Sequence, residues 1–207
     1  MKKFITFEGV NGAGKSSLLK LLTDYFDSNN IDYVIAREPG GSKVSEELRN
    51  ILKDNKKQMC LRTEILLFSA SRAELVETFI KPNLNAGKIV LCDRFYDSTR
   101  VYQGYANGIS DKQIMDITSF ATDRIEPDIT FLLDIDPKVS LSRREKDSND
   151  RFEVRDMSYH NMVRDGYLKL AKKEKRFCVL DASETPEQIL QKVLEKLKKE
   201  EVIWWTI

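Results

Sequence analysis

The sequence has almost no excess of either charge, since 34 lysine and arginine residues stand against 33 aspartate and glutamate residues. A long-range field that attracts nucleic acid or an anionic membrane needs an imbalance or a segregated patch of one sign. The basic stretch 172–176 contains Glu174 and is typical of a solvated helix end. We therefore expect no nucleic-acid and no membrane partner, and any phosphate binding must come from local sites.

Histidine, cysteine and long apolar runs are also scarce. The single histidine, His160, is expected on a polar, exposed helix face, which excludes histidine-based acid/base catalysis and a His-rich metal site. The three cysteines, Cys60, Cys92 and Cys178, have no CxxC spacing, so we expect small core side chains in a reducing compartment. The apolar segments near both ends are too short for a signal sequence or a membrane span. A cytoplasmic protein is expected.

Apolar runs rich in β-branched and aromatic residues alternate with stretches of helical periodicity, which predicts βαβ units and a parallel sheet. The runs expected as strands are 4–7, 33–36, 89–92, 129–135 and 177–180. The helices are expected over 15–29, 45–54, 63–85, 110–122, 137–145, 158–174 and 186–201. The strands lack polar alternation, which favours an α/β sheet with helices on both faces. A chain of 207 residues suits one domain.

The segment Gly9–Ser16, GVNGAGKS, matches the pattern GxxxxGK[ST] and lies between the first expected strand and the first expected helix. In such a P-loop the backbone N–H groups cradle phosphates, the lysine reaches the β- and γ-phosphates, and the hydroxyl of the last residue binds Mg²⁺. The candidate ATP-binding residues are Gly9, Val10, Asn11, Gly12, Ala13, Gly14, Lys15, Ser16 and Ser17. The pattern predicts a P-loop NTPase-type three-layer fold that binds ATP or GTP.

The rest of the sequence narrows the class of P-loop protein. It has neither the NKxD pattern that reads guanine nor the DxxG switch of regulatory GTPases. Its size, the Asp93-Arg94 pair after a central strand, and the arginine-rich stretch KDSNDRFEVR (146–155) favour phosphate transfer to a small acceptor. That stretch lacks hydrophobic periodicity, so we expect a loop between two helices.

Five segments in order resemble the thymidylate kinase family over nearly the whole chain. They are FEGVNGAGKSS (7–17), REPGG (37–41), LLFSASRAE (66–74), CDRFYDSTRVYQGYANG (92–108) and DRFEVR (150–155). The resemblance implies ATP-dependent phosphorylation of dTMP to dTDP, with Mg²⁺, by a homodimer. The DRFE sequence is similar to the family form whose catalytic arginine, here Arg151, lies in a lid loop at about 143–157.

The resemblance also implies an acceptor site. Phe68 and Arg72 are four residues apart on an expected helix and share a face, so one can stack on a base while the other donates to its carbonyl. Taken alone, Phe68 would be a core residue and Arg72 a surface charge. The family pattern places Asn11, Glu38, Arg49, Phe68, Arg72, Arg94, Thr99, Tyr102 and Gln103 at dTMP, the last three on the helical stretch after Asp93-Arg94.

Phosphoryl transfer requires alignment and neutralisation of charge more than covalent work by protein groups. The resemblance implies Lys15, Arg94 and Arg151 as catalytic residues, Ser16 and Asp93 as metal-binding residues, and Arg143 or Arg144 as an additional contact to ATP. Tyr102 is expected to occupy the space of a ribose 2′-OH. Glu153 is expected to orient the lid or the acceptor.

One position departs from the family pattern. The family usually has an acidic residue at the site of Asn11, where it contacts the sugar 3′-hydroxyl, and asparagine keeps an acceptor oxygen without the charge. Two alternatives remain at this point: another nucleoside or nucleotide kinase, and a catalytically silent nucleotide-binding protein. Phe68, Arg72, Thr99, Tyr102 and Gln103 argue against the first alternative. The silent protein should have lost Lys15, Asp93, Arg94 or Arg151, and all four are present.

Overall fold

A computed structural model describes residues 3–143 and 155–203. Its sheet has five parallel strands, β1 (Phe4–Glu8), β2 (Tyr33–Arg37), β3 (Ile89–Asp93), β4 (Ile129–Asp134) and β5 (Phe177–Asp181), in the order β2-β3-β1-β4-β5. All five expected strands are confirmed within one or two residues. The three central strands are almost entirely buried. The outer strands are less covered than expected, with Ile35 and Val179 each about half exposed.

Helices flank the sheet and connect its strands, as the alternating pattern predicted. They are α1 (Lys15–Ser28), α2 (Lys43–Lys53), α3 (Leu61–Leu75), α4 (Lys81–Asn85), α5 (Tyr96–Thr99), α6 (Asp111–Ala121), α7 (Pro137–Ser142), α8 (Met157–Lys173) and α9 (Pro186–Lys199). At α9, Thr185 and Gln188 each accept a hydrogen bond from the other's backbone N–H, the reciprocal capping box that the sequence favours. The described residues contain no helix long and apolar enough to cross a membrane.

Two π-helical turns interrupt the regular helices. The helix expected over 63–85 is α3 followed by the turn Val76–Ile80 and then α4. The helical stretch after β3 is α5, the π-helical turn Arg100–Gly104 and a short 3₁₀ turn, Tyr105–Asn107. Hydrophobic periodicity does not distinguish such turns from α-helix, although π-helical turns are frequent at functional sites.

Several expectations about single side chains were wrong. His160 is 4% exposed instead of lying at the surface, and its ring packs edge-on to that of Tyr159. Cys60 is exposed and Cys178 half-buried, so only Cys92 is a core residue. Arg176 does not end in solvent, because its guanidinium donates two hydrogen bonds to the fully buried carboxylate of Asp97. For Arg176 the error arose because its partner is 79 positions away in the sequence.

The polar residues that follow the central strands lie at one edge of the sheet. Phe7 of β1 and Arg37 of β2 are both in register with Asp93 of β3, so the segments after these strands meet. In parallel α/β sheets, ligands bind beyond the carboxyl ends of the strands. The fold therefore places the loop after β1, the REPGG segment and the Asp93-Arg94 pair beside one another.

Candidate active site

The loop between β1 and α1 has the backbone of a phosphate-binding loop. Gly9, Gly12 and Gly14 have φ angles of 137°, 80° and 95°, which residues with a side chain rarely adopt. At Gly9 a Cβ would lie 2.6 Å from the carbonyl oxygen of Leu133, so the close approach to β4 also requires glycine. Helix α1 begins at Lys15, and its N–H groups and dipole favour an anion there.

Lys15 lies folded against this loop. Its side chain is buried, and Nζ donates to the carbonyl oxygens of Gly9 at 3.3 Å and Val10 at 3.2 Å. These hydrogen bonds are long and therefore weak, so breaking them costs little free energy when the ammonium moves to phosphate oxygens. Ser16 and Ser17 are exposed in the first turn of α1, where their hydroxyls are accessible.

A cavity of about 870 Å³ lies beside this loop. Every described residue that the sequence singled out for binding ATP, metal or acceptor lines it, except Gly9 and Val10. These residues are Asn11, Gly12, Ala13, Gly14, Lys15, Ser16, Ser17, Glu38, Arg49, Phe68, Arg72, Asp93, Arg94, Thr99, Tyr102, Gln103 and Arg143. Helices α2, α3 and α5 and the turn after α5 thus contribute to the same space as the phosphate loop.

Arg94 lines this cavity, where several polar side chains contact it. Its backbone is in the left-handed region, with φ 69°, and its guanidinium donates to Asn11 Oδ1 at 2.5 Å, Ser98 Oγ at 3.1 Å and Tyr167 Oη at 3.2 Å. It lies over the ring of Tyr102, 5.4 Å from the centroid. The guanidinium is therefore held in one orientation before any phosphate is present.

Glu8, at the end of β1, contacts Ser98 and Tyr167, two of the residues that hold Arg94. Sequence reasoning missed Glu8. Its carboxylate is fully buried and accepts hydrogen bonds from the Phe95 backbone N–H at 2.8 Å, Ser98 Oγ at 2.6 Å and Tyr167 Oη at 2.8 Å. Burial raises the pKa of Glu8 above its usual value, and the negative charge of Asp97 adds to that rise. A glutamate inside an apolar strand was the only sequence signal for it.

Arg72 and Glu38 form a buried ion pair that also lines the cavity. Arg72 Nη2 lies 2.7 Å from Glu38 Oε2, and Arg72 Nε donates to both carboxylate oxygens. Arg72 Nη2 also donates to Thr99 Oγ1 at 3.0 Å. Burial raises the pKa of Glu38 to about 7, although Arg72 acts to lower it. Among the residues that the structure describes, Arg72 Nη1 has no hydrogen-bond partner.

An unsatisfied donor on a guanidinium that is 1% exposed costs free energy unless a ligand completes it. Phe68 lies one helical turn before Arg72 on α3, and both side chains line the cavity. The arrangement suits a flat ring that stacks on Phe68 and presents a carbonyl oxygen to Arg72.

Gln103 and Tyr102 line the same cavity from the π-helical turn after α5. Gln103 is 2% exposed, and its Nε2 donates to Glu64 Oε1 at 2.7 Å. The ring of Tyr102 lies edge-on to that of Tyr167, with centroids 6.2 Å apart. Glu64 is a second residue that sequence reasoning missed, although it precedes Phe68 by four positions and therefore shares the helix face of Phe68 and Arg72.

Asp93 meets a simple test for a metal-binding carboxylate. Its Oδ1 is buried, and none of the described residues gives it a hydrogen bond. An unpaired buried carboxylate oxygen in a cavity that Ser16 also lines suits a hard cation that keeps several waters, as Mg²⁺ does. The residues present therefore fit Mg²⁺ bound together with a phosphate, although the described chain has no cluster of three or more acidic, histidine or cysteine side chains.

Arg143 lies at the far end of the cavity. Its guanidinium donates to the carbonyl oxygen of Ala182 at 3.0 Å, and Glu184, Pro186 and Ile189 continue the wall. The segment after β5 thus lines the cavity beside Arg143. Arg144, Arg151 and Glu153 lie outside the described residues, as does most of the loop expected at about 143–157.

The parallel sheet, the glycine-rich loop that leads into α1, and a cavity that this loop shares with Phe68, Arg72 and Arg94 define a class of protein. They are the features of a P-loop phosphotransferase that acts on a small acceptor. Arg49 lines the same cavity, and its Nη1 donates to the Pro39 carbonyl oxygen at 2.6 Å.

Comparison with known proteins specifies the family. The family model for thymidylate kinase matches residues 7–193. The thymidylate kinase of Symbiobacterium thermophilum is 45% identical over 202 residues, which are 97% of this chain and 94% of that protein. The thymidylate kinase of Finegoldia magna is 40% identical over 97% of this chain and its own full length. The crystal structure of thymidylate kinase from Ehrlichia chaffeensis superposes with a TM-score of 0.77 at 34% identity, covering 95% of this chain and 98% of that one.

This chain belongs to the thymidylate kinase family. The expected resemblance and the expected P-loop NTPase fold are both confirmed.

Proposed function

We propose that the cavity is where this member of the thymidylate kinase family transfers the γ-phosphoryl group of ATP to dTMP, giving dTDP and ADP. The observation that carries the assignment is the buried guanidinium of Arg72, whose Nη1 lacks a partner among the described residues and which lines a cavity shared with the P-loop. A donor fixed beside Phe68 suits a pyrimidine with a carbonyl at position 4, as thymine has and cytosine lacks.

The donor end holds the phosphates of ATP. The backbone N–H groups of the loop after β1 and the N-terminus of α1 cradle the β-phosphate, and Lys15 leaves the carbonyl oxygens of Gly9 and Val10 to contact the γ-phosphate. Arg143 contacts the nucleoside of ATP beside Ala182. These contacts align the γ-phosphoryl group toward the acceptor end of the cavity.

The acceptor end holds dTMP by its phosphate and its base. Arg94 and Arg49 bind the 5′-phosphate, since a guanidinium grips phosphate through two parallel hydrogen bonds. Asn11 accepts from the sugar 3′-hydroxyl, Tyr102 fills the space of a 2′-hydroxyl, and Thr99 and Gln103 contact the base edge. Glu38 keeps Arg72 in the orientation that leaves Nη1 for the base.

Mg²⁺ is the proposed metal, held through Ser16 and Asp93. It supplies positive charge that neutralises the phosphate oxygens during transfer. Lys15 and Arg151 supply the rest, Lys15 from the P-loop and Arg151 from the proposed lid at about 143–157. We propose that residues 1–207 form one kinase domain that contains this lid.

An acceptor panel tests the reaction directly. A coupled assay of ADP formation with ATP and dTMP, dUMP, dCMP or thymidine should give the highest kcat/KM with dTMP, and thymidine should fail because it offers no 5′-phosphate to Arg94. Turnover that is faster with thymidine or dCMP than with dTMP would assign the chain to another nucleoside or nucleotide kinase. Absence of turnover with all four would favour a silent nucleotide-binding protein.

Phe68→Ala is expected to raise the KM for dTMP, since stacking of a base on an aromatic ring contributes about 1–3 kcal/mol. The KM for ATP should barely change, because Phe68 is assigned to the acceptor end and not to the loop that holds the phosphates of ATP. Steady-state kinetics with each substrate varied in turn measures both. Phe79→Ala is the matched control, as Phe79 is also half-buried but does not line the cavity. Equal dTMP kinetics in Phe68→Ala and wild type would remove Phe68 from the base site.

Asn11→Asp should tighten the contact with the sugar 3′-hydroxyl, because a charge-assisted hydrogen bond is about twice as strong as a neutral one. The ratio of kcat/KM for dTMP to that for 3′-deoxy-dTMP should therefore rise. Asn11→Ala serves as the reverse control and should lower the ratio. A ratio that stays flat or falls in Asn11→Asp would indicate that the new carboxylate pairs only with Arg94, whose Nη2 already contacts Asn11 Oδ1.

We propose a homodimer that buries exposed apolar side chains of α3 and α6. Leu66 is 57% exposed on α3 and Phe120 is 91% exposed on α6, and the two helices pack against each other. We propose that these side chains, on neighbouring helices, form part of one subunit interface. Sedimentation velocity at micromolar concentration should find a dimer, and Phe120→Glu should shift it toward monomer; a monomeric wild type would refute the proposal.

A cytoplasmic location is also proposed. The three cysteines carry free thiols, and one of them, Cys60, is exposed. Such thiols persist in reducing compartments. Recovery of the native protein mainly from a secreted or periplasmic fraction would contradict this.

A further inference from the structure

Glu64 contacts a proposed base-reading residue without lining the cavity itself. It lies near the beginning of α3, and its side chain is buried. Positions 64, 68 and 72 are spaced by four residues, so they share one face of α3. Phe68 and Arg72 reach the cavity from this face, whereas Glu64 lies behind Gln103 and contacts it at 2.7 Å.

The chemistry of the two groups settles which way the Gln103 amide points. An ionised carboxylate can only accept hydrogen bonds, whereas an amide has a donor branch and an acceptor branch. The donor branch, Nε2, therefore faces Glu64. The carbonyl oxygen, Oε1, is on the other branch of the same carbon, away from Glu64, in a side chain that lines the cavity. With no such neighbour, the two orientations of a glutamine amide differ little in shape, and the hydrogen-bond network alone decides between them.

We propose that Glu64 is a positioning residue that fixes the Gln103 amide with its oxygen toward the acceptor base, so that the site selects a pyrimidine that carries a hydrogen on N3. This inference rests on the proposed dTMP site. Thymine N3–H donates to Oε1, whereas N3 of cytosine is itself an acceptor and meets the oxygen unfavourably. The site then rejects cytosine at two positions, through Arg72 at the carbonyl and through Gln103 at N3.

The test compares Glu64→Ala, Glu64→Gln and the exchanged pair Glu64→Gln/Gln103→Glu, each assayed with dTMP and with dCMP. In Glu64→Ala the amide is free to turn, so kcat/KM for dTMP should fall about tenfold, mainly through KM, while that for dCMP falls less or rises. Glu64→Gln should lie between this variant and wild type, since its amide can face Gln103 in either orientation. The exchanged pair should return the dTMP/dCMP ratio to within about threefold of wild type, because the carboxylate introduced at position 103 again offers an oxygen to N3–H.

A merely structural role for Glu64 predicts a different pattern. Loss of stability would lower activity with both acceptors together and leave the dTMP/dCMP ratio unchanged, and exchange of the two residues would not restore it. Either an unchanged ratio in Glu64→Gln, which has nearly the same shape as wild type, or a folded exchanged pair that keeps the altered ratio overturns the proposal. Midpoints of thermal unfolding and the KM for ATP control for folding.

Glu74→Ala is the matched control on the same helix. Glu74 is ten residues beyond Glu64, about 15 Å along α3, and does not line the cavity. Glu74→Ala should leave the ratio of kcat/KM for dTMP to that for dCMP unchanged. If wild type itself fails to phosphorylate dTMP, the proposed function fails and the variants are not needed, so the two failures are distinct.

Discussion

We expect Arg151→Ala to lower kcat with dTMP about 10³-fold or more, while the KM for dTMP changes little. The P-loop contains Lys15 but no arginine, so charge that develops on the transferring phosphoryl group requires a guanidinium from elsewhere. Among the described arginines of the cavity, Arg94 is held by Asn11, Ser98 and Tyr167, and Arg143 by Ala182. In the proposed mechanism the contact from Arg151 forms mainly in the transition state, so we expect kcat to fall and KM to change little.

Arg151→Lys is the matched variant, and it should recover little activity because an ammonium cannot reproduce the planar fork of a guanidinium. A solvated loop arginine without a catalytic role would change activity less than about twofold, since exposed charges contribute only ~0–1 kcal/mol. Steady-state and single-turnover rates distinguish the two cases. A kcat within about threefold of wild type would exclude Arg151 from the mechanism and direct attention to Arg143, Arg144 and Arg155.

Arg72→Ala is expected to reduce the free energy of unfolding by about 3–5 kcal/mol at pH 8, because it leaves the buried carboxylate of Glu38 without its counter-charge. The side chains of Arg72 and Glu38 are 1% and 4% exposed, so solvent screens the intact ion pair little and its loss leaves the carboxylate poorly compensated. Urea denaturation at fixed pH measures the effect. The same variant should relax the selection of dTMP over dCMP, since the donor to the thymine carbonyl is gone.

The destabilisation should depend on pH with a defined sign. Burial raises the pKa of Glu38 from 4.5 to about 7 in the folded chain, and loss of the positive Arg72 raises it further. A carboxyl group with a raised pKa in the folded state binds protons more readily there than in the unfolded state, so stability falls as pH rises through the window between the two values. The deficit of Arg72→Ala should therefore be smaller at pH 5 than at pH 8.

The double variant Arg72→Ala/Glu38→Gln separates the loss of stability from the loss of selectivity for dTMP over dCMP. It removes the buried charge, so it should regain much of the stability and lose the additional dependence on pH between 5 and 8, yet remain poor at distinguishing dTMP from dCMP. A single Arg72→Ala variant as stable as wild type at pH 8 would show that the ion pair does not stabilise the fold. Equal discrimination in wild type and both variants would remove Arg72 from the base site.

Much of the fold and of the donor site could be predicted because their signals are local. A P-loop requires glycines at fixed spacing, a strand before it and a helix after it, and all three are contiguous in residues 4–28. The strand and helix alternation likewise predicted the parallel sheet within one or two residues. The pair Phe68 and Arg72 was identifiable from helical spacing together with the family pattern, although spacing alone favoured a core and a surface role.

What stayed hidden depends on partners far away in the sequence. Glu64 precedes Phe68 by a single helical turn, but its importance follows from Gln103, 39 positions later. Glu8 and Tyr167 are 159 positions apart and meet only because the fold brings α8 within hydrogen-bond distance of the end of β1. His160 and Arg176 were expected in solvent for the same reason, since nothing near them in the sequence indicates what covers them.

By itself the sequence determined the class of chemistry, because phosphate binding at a glycine-rich loop depends on backbone conformation that a short segment specifies. Only the tertiary structure decided which side chains have unsatisfied groups. Arg72 Nη1 and Asp93 Oδ1 lack partners among the described residues. In contrast, Arg94 is held by Ser98 and Tyr167, and Gln103 by Glu64. Hydrogen-bond satisfaction depends on the positions of all surrounding atoms, and these are set by the packing of segments that are distant in the sequence.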